Sequence, residues 1–248
     1  MKIIFYDIPS RLPLKAWSPN TWKTRYCLNF KGLPYQTEWV EYPDIEPLCK
    51  KLGVSSARTV DGTHSYTLPA IHDPSTGVSI ANSFDIAEYL DKTYPNTPLI
   101  FPHNTAGLQA PFALAFGSNM RPLLNFLIPT ECEKLNPRSS EYFRRTRERT
   151  FGKKLEDLAP QGPDRVREWA KVERGLGKAD AWLRKNGGSG PFMLGTTPCW
   201  ADFVIGGYMA WIKSALGEES EEWKDIASWH DGRWKMFIEG LKKYENVV

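Results

Sequence analysis

The chain has 248 residues, 41% hydrophobic and 13% aromatic, enough to bury a substantial core in one large domain or two smaller ones. Its formal net charge of +3 excludes a chain built for wholesale nucleic-acid binding and a disordered, highly charged one. No stretch reaches the roughly 18 apolar residues of a membrane span, and Cys27, Cys49, Cys132 and Cys199 form neither C-x-x-C nor zinc-like pairs with the scattered histidines, so a reduced, cytoplasmic protein without metal is expected.

After Met1, KIIFYDIP is a strand pattern, without the basic flank and long apolar core of a secretory signal. The stretch WSPNTWKTRYCLNFKGLPY then reads as a helix: Ser18 at N-cap, Pro19 at the first helical position, Trp22, Tyr26 and Phe30 near one face, and Gly32 past the end. A second strand is predicted over Tyr35 to Val40 and a short irregular helix over Ile45 to Leu52, ended by Gly53. Strands at Ser65 to Asp73 and Gly77 to Ser83 flank the turn Pro74-Ser75-Thr76-Gly77, and FDIAEYLDKTYP is a helix ending before Pro95. The order β-α-β-α-β-β-α predicts a mixed α/β sheet covered by helices, over about a hundred residues. Beyond a proline-containing linker at 95 to 102, everything reads as helix. Tyr142 to Leu158 is one; Val166, Trp169, Val172, Leu176, Ala179 and Leu183 stripe another; Trp234, Phe237, Ile238 and Leu241 mark a third. Phe203 to Leu216 is apolar nearly all round and should be the central core helix.

This order, with SPNTWKTRYCLNFKGLPY, SYTLPAI, IANS and PFMLGTTPCWADFVIGG, resembles the glutathione transferase family, and within it the serine-type and fungal etherase-like members. The resemblance covers almost the whole chain. It implies a thioredoxin-like glutathione-binding domain over 1 to 98, an all-helical domain over 105 to 248 forming a hydrophobic-substrate pocket, glutathione as cosubstrate, and a homodimer.

The chemistry of the first helix fits that reading. A thiol with a pKa near 8.5 is only a few per cent ionised at neutral pH, and lowering it by about two units takes roughly 2.7 kcal/mol of differential stabilisation. A helix N-terminus offers unpaired N–H groups and the positive end of the macrodipole, and a hydroxyl there adds a donor. A cysteine in that turn would form a mixed disulfide with glutathione; Ser18 would instead donate a hydrogen bond to its sulfur, with Asn20 and Thr21 as the other candidates. Serine before proline is equally an ordinary cap that accepts from the backbone.

In Thr67-Leu68-Pro69 the resemblance implies a cis Leu68–Pro69 bond that frees the Leu68 backbone to pair with the cysteinyl part of glutathione, and Thr67 near the glycyl end. An edge-strand proline without a ligand is the bland alternative. Asn82-Ser83 resembles the family's acid-Ser pair for the γ-glutamyl group, with Ser83 as N-cap of the following helix; because Asn82 replaces the usual acid, Asp85 or a second subunit would meet the ammonium. Asp202, three residues after Cys199, should satisfy backbone donors alone or with Thr197, a thiol being a poor cap. Trp17, Trp22, Phe116, Met120 and Leu123 are the candidates for the second-substrate pocket, which suits an apolar, aromatic electrophile. The basic run Arg138 to Lys154, seven Lys or Arg against two acids, reads as a solvated helix face. A weakly catalytic carrier of aromatic compounds, or glutathione-dependent aryl-ether cleavage, are the alternatives on the same fold.

Overall fold

The computed structural model describes residues 1–58 and 64–248. The first strand, β1 (Ile3–Asp7), is buried at four of its five positions, which is why it reads as a run and not as an alternation. It lies inside a four-stranded sheet, parallel to β2 (Tyr35–Trp39) and antiparallel to β5 (Ala70–Asp73), which in turn pairs antiparallel with β6 (Val78–Ala81). The order is β2-β1-β5-β6, with Phe5 opposite both Thr37 and Ile71. Between the strands run α1 (Pro19–Lys31), α2 (Ile45–Leu52) and a short hairpin of β3 (Ala57–Arg58) and β4 (His64–Ser65); α3 (Ser83–Thr93) follows β6. The predicted strand from Ser65 to Asp73 is therefore broken: it pairs only at its ends, and Thr67 to Pro69 form the link, with a cis Leu68–Pro69 bond.

Helix α1 begins and ends where its local chemistry says. Ser18 is extended (φ −63°, ψ 128°), Pro19 opens the helix, and Gly32 closes it in the left-handed region at φ 64°. It is enclosed on nearly every side. One face meets the sheet, where the buried Arg25 guanidinium pairs with Asp7 at 2.6 Å and donates to the Tyr35 and Thr37 hydroxyls. Lys31 pairs with Asp91 of α3 at 2.7 Å, and that carboxylate also accepts from the Ile100 and Phe101 N–H groups.

The second half is helical throughout: α4 (Ala106–Gln109), α5 (Phe112–Asn119), α6 (Leu124–Lys134), α7 (Pro137–Phe151), α8 (Gly162–Leu183), α9 (Trp200–Leu216) and α10 (Glu221–Leu241). Helix α9 is its axis: Phe203, Val204, Ile205 and Ile212 are fully buried, each contributing about 1.5–3 kcal/mol. It packs directly on α1, and two glycines permit the approach. A Cβ on Gly207 would lie 2.5 Å from the Pro19 carbonyl oxygen, and one on Gly206 2.5 Å from a Leu241 methyl. Tyr26 of α1 stacks on Phe203 with centroids 5.8 Å apart.

Four expectations need adjusting. Helix α7 starts at Pro137 and stops at Phe151, where Gly152 turns left-handed at φ 69°. Val166 of the α8 stripe is 71% exposed, although Val172, Leu176, Ala179 and Leu183 are buried. Helix α10 kinks across Trp229 to Gly232, so the Trp234 stripe belongs to its second segment. Cys199 does take part in capping α9: its thiol donates to Asp202 at 3.3 Å, while Asp202 accepts from the Cys199 and Met193 N–H groups, without Thr197. Burial raises Asp202 to about 7 against those bonds. The basic run on α7 is partly neutralised, Arg138 by Asp44 and Arg144 by Glu148 and Glu156.

Candidate active site

Three structural joints converge on one cleft of about 670 Å3: the first turn of α1, the link before β5, and the start of α3. Asn20, Thr67, Leu68, Pro69, Asn82 and Ser83 all line it. The sheet order brings them together, because β1 leads into α1 while β5 and β6, beside it, carry the other two joints.

At the start of α3 the backbone is bent sharply. Asn82 has φ 76° and ψ 123°, a conformation costly for a residue with a Cβ, and its Oδ1 accepts from the Phe84 N–H at 3.0 Å. Asn82, not Ser83, is therefore the N-cap; Ser83 is the first helical residue, placed among the helix's unpaired N–H groups. Asp85 lies one turn in, on the cleft wall, with its carboxyl pushed upward by burial. The Pro69 carbonyl accepts from Asn82, tying the two joints together, whereas the Leu68 N–H and C=O meet no backbone partner among the described residues.

The candidates at α1 separate. Thr21 is fully buried and its hydroxyl donates to the Ser18 carbonyl at 3.1 Å. Ser18 is 5% exposed, lies off the cleft wall, and its hydroxyl caps no backbone N–H. Asn20 is exposed and on the wall, and its Oδ1 is held at 2.9 Å by the ammonium of Lys23. Lys23 went unnoticed in the sequence because a lysine in a helix ordinarily reaches solvent; here α1 is covered on so many sides that it is 7% exposed. Burial lowers its pKa to about 8.

The far wall of the cleft comes from the helical half, through Ala113 and Leu114 of α5, with Phe84 beside them. The five residues expected to form a second-substrate pocket lie elsewhere. Trp17 packs on Tyr42 and Phe143, and Trp22 on Tyr26. Phe116 packs against Tyr208, and Phe116, Met120 and Leu123 are wholly enclosed. These are core positions, and none borders the cleft.

Residues 17–93 match the family model of the glutathione S-transferase N-terminal domain, and residues 107–244 that of the C-terminal domain. The chain belongs to the glutathione S-transferase family. Among curated relatives of this transferase, a glutathione S-transferase-like protein of Aspergillus flavus is 38% identical over 250 residues, covering 93% of this chain and 86% of that protein. A crystal structure of a glutathione S-transferase of Ceriporiopsis subvermispora, in complex with glutathione, is 49% identical with a TM-score of 0.94, covering 100% of this chain and 99% of that one. Glutathione transferase GSTFuA3 of Phanerochaete chrysosporium is 43% identical with a TM-score of 0.93 and the same coverage. In this transferase the cleft falls between the two family domains, with walls from both. No group of three or more potential metal ligands occurs among the described residues, and no helix among them is long and apolar enough to cross a membrane.

Proposed function

We propose that this transferase seats glutathione in the cleft and presents its sulfur, as the thiolate, to an apolar, aromatic electrophile lying against Ala113, Leu114 and Phe84. The observation that carries this reading is the continuity of one cleft from Asn20 past Leu68 to Ser83. The γ-glutamyl carboxylate suits the N-terminus of α3, where Ser83 and unpaired N–H groups offer donors. Asp85, on the same wall, suits the ammonium that Asn82 cannot neutralise. The cysteinyl backbone suits the Leu68 N–H and C=O, which have no backbone partner among the described residues, and Thr67 the glycyl end. The sulfur then falls at the first turn of α1.

There the helix dipole and the Asn20 amide favour the anion. Asn20 takes the leading role because it borders the cleft, with Ser18 and Thr21 shaping the turn behind it. The thiolate lone pair forms the new S–C bond and the leaving group departs with the bonding pair. Holding both partners in one cleft makes the encounter effectively unimolecular. The family resemblance extends the reading to a cytoplasmic homodimer.

Calorimetric titration with glutathione and a conjugation assay with a chlorodinitrobenzene test the reading together. Glutathione should bind wild type, and Asn20→Ala should lose roughly 10- to 100-fold in kcat/KM, the scale of one donor to a developing anion. Absence of binding, or a fully active Asn20→Ala, would contradict it.

A further inference from the structure

Lys23 is an unusual lysine for a helix interior. Its stem runs along the seam between the two halves, where a Cβ on Gly207 of α9 would be 3.5 Å from its Cγ, and the residue lines the cleft beside Asn20. There its ammonium donates to Asn20 Oδ1 at 2.9 Å. Among the described residues no carboxylate comes within 4.0 Å of it, and Asp85, which shares the cleft, is not paired with it. A buried cation whose one partner among the described residues is a neutral amide is costly to keep. The cost becomes intelligible if an anion completes the arrangement.

The Asn20 carboxamide presents an oxygen at one end and an NH2 group at the other, and the two ends act oppositely on a thiolate. With the oxygen tied to an ammonium, the NH2 end is the one left for a ligand. We infer that Lys23 is a positioning residue for the sulfur of glutathione: its ammonium fixes the Asn20 carboxamide with the NH2 end toward the thiolate and supplies the positive charge of that turn. The inference rests on the proposed glutathione reading. It makes the first turn of α1 an amide–ammonium pair in which Lys23 acts mainly through Asn20. Without the ammonium the carboxamide is free to turn over and present its oxygen to the sulfur, so the loss should exceed that of a distant surface charge. Burial brings Lys23 down to about 8, so it is still largely charged at neutral pH.

The test titrates the ultraviolet thiolate absorbance of bound glutathione in wild type, Lys23→Met and Lys23→Arg, alongside kcat/KM with a chlorodinitrobenzene. Methionine preserves the stem that packs on Gly207, and Lys23→Gln serves if that variant does not fold. Loss of the ammonium should raise the bound thiol pKa by about one unit and lower kcat/KM about tenfold near neutral pH, with the deficit shrinking where the thiol ionises unaided. Lys23→Arg should recover part of the activity. In an Asn20→Ala background the Lys23→Met effect should largely vanish, because residues acting as a pair are not additive. An unchanged thiol pKa in Lys23→Met, with wild type binding and ionising glutathione, overturns the inference and leaves the wider reading intact. Failure of wild type to bind glutathione overturns both.

Discussion

Lys31 and Lys23 sit two turns apart on one helix, 3% and 7% exposed, and are neutralised in opposite ways. Lys31 meets the Asp91 carboxylate at 2.7 Å and the Pro98 carbonyl at 3.0 Å, and the same carboxylate orders the Ile100 and Phe101 N–H groups beyond α3. Between the two lysines, the charge of Arg25 is matched by Asp7 at 2.6 Å, although its Nε finds no hydrogen-bond partner among the described residues. Lys23 has, among the described residues, a single amide oxygen. The C-terminal two thirds of α1 thus behave as a finished structural element whose charges are matched inside the protein. The N-terminal turn is left electrostatically incomplete, on the one stretch that borders the cleft. An incomplete charge where a ligand can reach, beside complete ones where none can, is the pattern expected when stability is given up for binding.

The contrast can be broken from its strongest end. Asp7→Ala strands a fully buried guanidinium and removes the acceptor of the Ile8 N–H, so denaturant unfolding should show a loss of about 3–5 kcal/mol. Asp91→Ala leaves Lys31 and two backbone donors unmatched, but the ammonium keeps the Pro98 carbonyl; a loss of about 2–4 kcal/mol is expected in the same measurement. Lys23→Met should go the other way and stabilise the fold at neutral pH by about 1–3 kcal/mol, because it removes a buried charge without a carboxylate. That gain carries a pH signature. With the folded pKa of Lys23 near 8 and its ordinary value 10.5, the unfolded chain holds a proton that the folded chain lacks between those values. Wild-type stability should therefore rise with pH through that window relative to Lys23→Met, whose advantage fades; thermal melts at stepped pH read this directly. A destabilised Lys23→Met at neutral pH would place Lys23 with Lys31 and remove the contrast.

How much of this was legible depends on how local the signals are. Helix α1 could be bounded because Ser18, Pro19 and Gly32 each act within one turn, and the Leu68–Pro69 link and the Asn82-Ser83 joint were found because they resemble a family pattern. The hairpin β3–β4 was missed, since two-residue strands carry no periodicity. Helices α4 to α6 were not delimited because Pro111, Pro122 and Pro129 interrupt the pattern, and Pro129 stands inside α6. The cap of α3 shifted by one residue because only the backbone reveals that Asn82 takes a positive φ. Apolar residues such as Phe116 and Met120 look alike whether they face a core or a substrate, and burial alone separates them. Lys23 left one usable trace: it lies three residues after Asn20, on the same side of a helix whose other positions are mostly apolar or paired.

A crystal structure of this chain with glutathione would show whether the sulfur meets the amide–ammonium pair of α1. The sulfur should lie within about 3.5 Å of the Asn20 amide nitrogen, with Lys23 still on the Asn20 oxygen and the γ-glutamyl group at Ser83. Glutathione bound with its sulfur pointing away from the first turn of α1, or resting against the helical half without touching Asn20, would contradict that placement.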